Sequence, residues 1–116
     1  MIKVIALIKR NPALDHDEFV RYWKEVHAPL VKDRLPGLEK YVLNSVIQRG
    51  SEPLEWDGVV ELHYADLAAR DRASVSSSFL DERRQASSAH LIDLSSVIAV
   101  VAEEHVVPLT GHDRAS

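Results

Sequence analysis

An apolar and aromatic stripe that meets a proline runs through residues 19–31, FVRYWKEVHAPLV, and constrains the fold more than any other segment. Spacings of three and four residues place six side chains on one face of a helix, namely Phe19, Tyr22, Trp23, Val26, His27 and Leu30. Pro29 cannot donate a backbone hydrogen bond and its ring clashes with the preceding turn, so we expect the helix to kink or end near His27. One titratable imidazole therefore lies in an apolar stripe, next to the position where Pro29 removes a backbone hydrogen bond from the helix.

The rest of the chain predicts a β-α-β-β-α-β order. Strands are predicted at 1–8, 38–48, 56–64 and 95–106, and helical segments at 16–28, 67–75 and 79–92. Asp15 and Glu18 form the pattern of a capping box, and Pro36 with Gly37 ends the first helical region. This order is that of the ferredoxin-like fold, an α+β sandwich with helices on one face of its sheet.

Both faces of the predicted sheet are rich in apolar side chains, which the helices of one chain cannot cover. The economical solution is a second copy whose sheet packs against the first, so we expect a homodimer in the form of a dimeric α/β barrel. The 116 residues suit a single domain. We place this domain at residues 1–107 and expect residues 108–116 to be a flexible tail.

Composition argues against several kinds of function. The net charge of −4 and the lack of a basic block disfavour a nucleic-acid partner. The absence of cysteine excludes disulfides, thiolate nucleophiles and cysteine zinc sites. The five apolar residues between Lys3 and Lys9 are too few for a membrane span, so we expect a cytoplasmic protein with no membrane partner. No nucleotide-binding glycine motif is present, and we expect no cofactor.

His27 is the main candidate for chemistry. A neutral imidazole in an apolar setting can shuttle a proton near neutral pH. The alternative is a structural histidine whose ring packs on Trp23 and bonds the carbonyl that Pro29 leaves free. Tyr22 and Trp23 suit either core packing or the wall of a substrate pocket. The phenol of Tyr41, on the second predicted strand, can orient a carbonyl or lie at a strand edge.

Asp57, Glu61 and His63 alternate along the third predicted strand and therefore share one face. The row suits either acid/base chemistry and substrate binding or a solvated face. His90 is a further acid/base candidate. Together with His27, the histidines at 63, 90 and 105 raise the hypothesis of a metal or haem protein. Their spacing matches no ligand motif, and we expect neither group.

Five segments form a distinctive combination: FVRYWKEVHAPLV (19–31), LPGLEKYV (35–42), DGVVEL (57–62), LIDLS (91–95) and EEH (103–105). On these segments the chain resembles the EthD-domain proteins of the dimeric α/β-barrel superfamily over residues 1–107. The resemblance implies a ferredoxin-like monomer that pairs back to back and holds a cleft for a small hydrophobic or aromatic molecule. It also implies relatives that are isomerases, dehydratases or cyclases, cofactor-free monooxygenases, or accessory proteins.

One segment, SSAH (87–90), departs from the expected pattern, because it adds a histidine where an aromatic residue is expected. The first hypothesis is a small cofactor-free enzyme acting by acid/base chemistry on an aromatic, polyketide or lactone-type intermediate. His27 would move a proton next to a carbonyl, and Tyr41, His63 or His90 would hold the carbonyl oxygen. The outcome would be isomerisation, dehydration, cyclisation or, with O₂, oxygenation. The second hypothesis is a non-catalytic protein that binds a hydrophobic ligand or assists an oxidative degradation system.

Overall fold

The computed structural model describes residues 1–76 and 81–110, apart from the side chain of Arg34. Within these residues the strands are β1 (Ile2–Ile8), β2 (Lys40–Ser45), β3 (Gly58–Tyr64) and β4 (Ile98–Glu103). The α-helices are α1 (His16–Tyr22), α2 (Ala28–Arg34), α3 (Leu67–Ser74) and α4 (Glu82–Leu91). A π-helical turn, Trp23–His27, joins α1 to α2, and a 3-10 turn, Leu94–Ser96, precedes β4.

The strands form an antiparallel sheet in the order β2-β3-β1-β4. Each helical region connects two strands that have a third strand between them, as in the ferredoxin-like fold. The predicted α+β, ferredoxin-like architecture is therefore confirmed. Opposed residues of an antiparallel pair point to the same side, so the register divides the side chains into two faces. We call them the helix face, which includes Ala6 opposite Val60, and the open face, which includes Lys3 opposite His63.

The main core lies between the helix face and α1. Phe19 and Trp23 are buried, and their ring centroids are 5.3 Å apart. Trp23 reaches so close to β3 that a Cβ on Gly58 would lie 2.5 Å from its ring. A strand glycine is therefore required here by close packing rather than by its backbone angles. Leu91 closes the same cluster from the end of α4.

Within this helical region, the buried side chains are spaced four residues apart. Phe19, Trp23, His27 and Val31 are all buried. Val26, which the spacing also placed on the buried face, is 43% exposed, so that part of the prediction is wrong. Because the helix contacts the sheet along one line, the neighbouring positions turn toward α4 and border a groove between the helices.

The sequence predicts a kink or an end of the helix near His27; instead a π-helical turn lies there and the helical path continues as α2 to Arg34. The N–H of Ala28 donates to the carbonyl of Trp23, five residues back, instead of four. Pro29 could not have continued the four-residue ladder, because it has no N–H. Single π turns inside α-helices frequently lie at functional sites. The turn here ends on His27 and sets the direction of its imidazole.

Element boundaries differ from the predicted ones mainly at strand ends. The strand predicted at 38–48 is only Lys40–Ser45, and the strand predicted at 95–106 is only Ile98–Glu103. The side chain of Asp93 accepts from the N–H of Ser95 and turns the chain there, which delays the last strand. The capping box of Asp15 and Glu18 is present as predicted. Residues 79 and 80 of the predicted last helix, and residues 111–116 of the predicted tail, lie outside the described residues.

Candidate active site

The imidazole of His27 lies between the helical layer and α4, with 7% of the residue exposed. Its Nδ1 atom is 2.9 Å from the hydroxyl oxygen of Ser87 on α4. Ser87 is itself 4% exposed, so this hydrogen bond is shielded from water. The bond holds the ring in one orientation through Nδ1.

A second hydroxyl extends the contact toward the surface. The hydroxyl of Tyr22 is 3.1 Å from the same oxygen of Ser87. A serine hydroxyl donates one hydrogen bond and accepts two, so it can serve both neighbours at once. The three side chains thus form a continuous path for a proton between the buried imidazole and the half-buried phenol. We call this the His27–Ser87–Tyr22 chain.

The environment keeps His27 neutral at physiological pH. Burial and, as the smaller cause, the nearby positive charge of Arg84 together lower the pKa of His27 from 6.5 to about 4. An imidazole that is neutral at pH 7 has one nitrogen that accepts and one that donates a hydrogen bond. The site can therefore offer a base, or a neutral donor, without first losing a proton to solvent.

Tyr41 lies on the helix face of β2 and contacts the same aromatic core. The indole Nε1–H of Trp23 donates to the phenol oxygen of Tyr41 over 3.2 Å. Burial raises the pKa of Tyr41, so its phenol keeps its proton and remains a donor. Tyr41 also lines a groove of about 600 Å³ between α2 and β2, with Leu38 and Leu43 forming part of its apolar wall. We call this the β2 groove.

Arg84 brings a positive charge to the same region. It lies on α4 one turn before Ser87, and its guanidinium is half-buried. Its positive charge lowers the pKa of His27, and it also acts to lower the pKa of Tyr41 and of Tyr64 against the larger effect of burial. Burial lowers the pKa of the guanidinium. A cation of this kind can stabilise negative charge that develops on a bound molecule.

Sequence reasoning missed both Arg84 and Ser87 as functional residues. A signal for them was present, because residues 84, 87 and 91 follow helical spacing and Leu91 is a core residue. That spacing places the arginine and the serine on the inner face of α4, where a polar side chain needs a partner.

His90 is brought near the His27–Ser87–Tyr22 chain but does not contact the imidazole. Its exposed ring packs on Tyr22, with centroids 4.5 Å apart. It borders a second groove of about 600 Å³ between α1, α2 and α4, whose lining also includes Ser87. We call this the outer groove. His90 therefore lies at the solvent-exposed end of the chain, against the ring of Tyr22.

His63 and Glu61 lie on the open face, so the sheet separates them from His27. The Nε2 atom of His63 is 3.2 Å from Glu61, which also pairs with Lys3 at 3.2 Å. Hydrogen bonds from Asn44 and Lys3 lower the pKa of Glu61. His63 is 2% exposed, and its Nδ1 has no hydrogen-bond partner among the described residues. The structure thus does not bring these two residues to a substrate held at His27.

Asp57 also lies away from His27. Its buried carboxylate accepts from the backbone N–H of Arg10 over 3.0 Å and contacts the ring nitrogen of His16 at 3.2 Å. These contacts tie the start of β3 to the connection between β1 and α1. The geometry therefore favours a structural task for this carboxylate.

Two further features concern cofactors and membranes. Among residues 1–76 and 81–110, no three His, Asp or Glu side chains are grouped closely enough to bind a metal ion. In that same part of the chain, no helix has the length and apolar character required to cross a membrane.

Comparisons with known proteins place this geometry in context. The family model of the EthD domain matches residues 11–95. An ethyl tert-butyl ether D (EthD) family protein from Bacillus halodurans is similar in structure, with a TM-score of 0.67, 20% identity and coverage of 90% of this chain and 99% of the other. A dimeric ferredoxin-like protein of unknown function from Bacteroides fragilis has a TM-score of 0.58, with 13% identity and coverage of 89% and 95%.

A third similar structure has a described activity. It is SnoaB from Streptomyces nogalater, described as a cofactor-independent oxygenase, with a TM-score of 0.56, 11% identity and coverage of 91% of this chain and 94% of the other. No curated protein matches the sequence significantly.

Proposed function

The chain belongs to the EthD domain family, and from this membership and the geometry around His27 we propose that it is a small cofactor-free acid/base enzyme. Its substrate is an aromatic, polyketide or lactone-type intermediate. The observation that carries the proposal is the buried His27–Ser87–Tyr22 chain, with distances of 2.9 and 3.1 Å, beside the positive charge of Arg84. The proposed base is His27, its proton path runs through Ser87 and Tyr22, and the compensating positive charge comes from Arg84.

In the proposed reaction, Nε2 of His27 removes a proton from a carbon next to a carbonyl. The Nδ1–H donates to Ser87, which supports the imidazolium as it forms. Arg84 and the phenol of Tyr41 stabilise the negative charge that develops on the carbonyl oxygen. Return of the proton to another atom completes an isomerisation, a dehydration or a cyclisation.

Oxygenation is an alternative outcome of the same first step. A carbanion held beside Arg84 can react with O₂ directly, without a flavin or a metal ion, when the substrate delocalises the charge. The description of SnoaB as a cofactor-independent oxygenase favours this variant. Oxygen consumption that accompanies loss of substrate would separate oxygenation from isomerisation.

The proposal is tested by proton exchange. A panel of aromatic and lactone carbonyl compounds is incubated with the protein in D₂O, and the acidic C–H signal is followed by proton NMR. We expect exchange with the unaltered protein and a loss of about a hundredfold or more in His27→Gln. The matched control is His105→Gln, because His105 is an exposed histidine. Full exchange in a folded His27→Gln variant would refute the assignment.

A non-catalytic role is a second candidate. The pKa of His27, about 4, is low for a general base that works at neutral pH. A protein that only binds a hydrophobic ligand, or assists an oxidative system, does not require a general base with a pKa near neutral. In that case ligands would bind in the β2 groove while no panel compound exchanged protons or consumed oxygen.

We further propose that the chain forms a homodimer through the open face. Ile98 and Val100 on this face are 52% and 53% exposed, and the β4 strand that carries them is at the sheet edge. A similar structure is described as dimeric, and a second copy would cover the apolar surface. Val100→Glu should convert the dimer to a monomer in sedimentation experiments. A protein that is already monomeric at micromolar concentration would contradict the proposal.

A further inference from the structure

We propose that Ser87 is a nucleophile toward neutral esters and lactones that bind in the outer groove, with His27 as its general base. The inference rests on the proposed function only in using His27 as a base. It adds a second activity, the hydrolysis of an acyl–oxygen bond, at a serine that only supports the imidazole in the proton-transfer reaction.

The first argument is the pairing of a hydroxyl with an imidazole. The hydroxyl oxygen of Ser87 is 2.9 Å from Nδ1 of His27, which is within the distance of about 2.6–3.2 Å expected between a nucleophile and its base. A neutral imidazole carries its proton on only one nitrogen. When that proton is on Nε2, Nδ1 accepts the hydrogen bond of the serine and can take its proton. The other tautomer is the one that the proposed carbon-acid reaction uses.

The second argument is the direction of the Ser87 hydroxyl. A serine inside a helix commonly donates to a carbonyl three or four residues back, as Ser74 on α3 does to Asp71 at 2.9 Å. The oxygen of Ser87 instead lies 2.9 Å from the imidazole of His27 and 3.1 Å from the hydroxyl of Tyr22. If the serine donates to the imidazole and accepts from the phenol, its second lone pair remains for attack on a carbonyl carbon.

The third argument is the outer groove, because Ser87 itself lines it. The groove has a volume of about 600 Å³, which suits a small organic molecule. Its apolar lining suits a hydrocarbon body, and its charged lining has two carboxylates and one guanidinium. An anionic ligand is therefore disfavoured, and a neutral ester or lactone fits best. The apolar side chains are Val26, Pro29, Leu30 and Ala86, and the charged ones are Glu25, Asp33 and Arg83.

In the inferred reaction, the oxygen of Ser87 forms a bond to the acyl carbon while its proton passes to Nδ1 of His27. The bond between the acyl carbon and the leaving oxygen then breaks, and the imidazolium gives its proton to that oxygen. Water attacks the acyl-serine and loses a proton to the imidazole, and the serine oxygen recovers this proton as its bond to the acyl carbon breaks. The net change is the addition of one water to one ester bond.

The test is covalent labelling with an uncharged alkyl fluorophosphonate, which bonds to a nucleophilic serine with loss of fluoride. The protein is incubated with the probe at pH 7.5, and the adduct is located by mass spectrometry of the intact protein and of its peptides. We expect one adduct, on Ser87, and none in urea, where the pairing with His27 is lost. Hydrolysis of p-nitrophenyl butyrate should fall in proportion to the labelled fraction.

Three variants assign the reaction to the pair. Ser87→Ala should lose both the adduct and the hydrolysis, whereas the matched control Ser88→Ala, the same change at the next residue, should keep both. His27→Gln retains the serine hydroxyl but removes the base, so its labelling should be slower by about a hundredfold or more. If Ser87→Ala does not fold, the position of the adduct in the unaltered protein decides the matter.

Three results would overturn the inference. They are no adduct after prolonged exposure to millimolar probe, an adduct confined to residues other than Ser87, or an unchanged labelling rate in folded His27→Gln. An adduct on Ser87 with no proton exchange in the carbonyl panel would uphold the inference and remove the proposed carbon-acid reaction. Proton exchange without an adduct would do the reverse.

Discussion

Replacement of His27 by glutamine should change how the stability of the fold depends on pH. In the unfolded chain a histidine binds its proton near pH 6.5, whereas in the fold burial lowers the pKa of His27 to about 4. Between these two values the unfolded state binds more protons than the folded state. Stability is therefore fully present above about pH 6.5 and is lost as the pH falls toward 4.

The magnitude follows from the two pKa values. Each pKa unit corresponds to about 1.4 kcal/mol, so the fall from 6.5 to about 4 represents at most about 3 kcal/mol over the whole range. Between pH 7 and pH 4.5 the expected loss is about 2 kcal/mol. For a domain of this size the urea midpoint should fall by about 1 M or more through His27 alone.

The assay is urea unfolding at pH 7 and pH 4.5 for the unaltered protein, His27→Gln and the exposed-site control His105→Gln. Carboxylates titrate in all three proteins, so the difference between their pH dependences isolates each histidine. We expect His27→Gln to lose about 2 kcal/mol less on acidification, and His105→Gln to follow the unaltered protein. Equal pH dependence in all three proteins, or an NMR titration of His27 centred near 6.5, would refute the argument.

Two further substitutions test the packing around the site. Gly58→Ala places a methyl group 2.5 Å from the ring of Trp23, and we expect a loss of about 1–3 kcal/mol in thermal or urea unfolding; unchanged stability would show that the ring does not lie on the strand. Ser87→Ala leaves the imidazole of His27 and a phenol without their shared hydroxyl, at a cost of about 1–3 kcal/mol, whereas Ser88→Ala, its neighbour, should stay within about 0.5 kcal/mol. Similar losses in the two serine variants would contradict the hydrogen-bonded chain.

The sequence predicted local features well where short-range rules dominate. The capping box of Asp15 and Glu18 and the irregular helical turn before Pro29 follow from hydrogen bonds between residues a few positions apart, and both are present. The β-α-β-β-α-β order followed from apolar periodicity. Strand ends were predicted less well, because the length of a strand depends on its neighbours in the sheet. Residue 97 precedes β4, although valine favours strands.

The site divides in a similar way. The sequence by itself identified His27 as a lone titratable group in an apolar stripe, because helical spacing can be counted along the chain. It could not identify Ser87 or Arg84 as partners, since α4 meets the first helical region only after the chain has passed through two strands. It also could not assign His63 to a sheet face relative to His27.

What the sequence alone determined, therefore, is the set of elements, the family pattern and the one histidine in the helical stripe before Pro29. The tertiary structure decided which polar groups surround that histidine and which lie beyond the sheet. The physical reason is that periodicity specifies which side of an element a residue occupies, whereas the packing of distant elements specifies what that side meets. Burial by those distant elements is also the main reason why the pKa of His27 is lowered to about 4. The tertiary structure thereby sets the acid/base chemistry that this imidazole can perform.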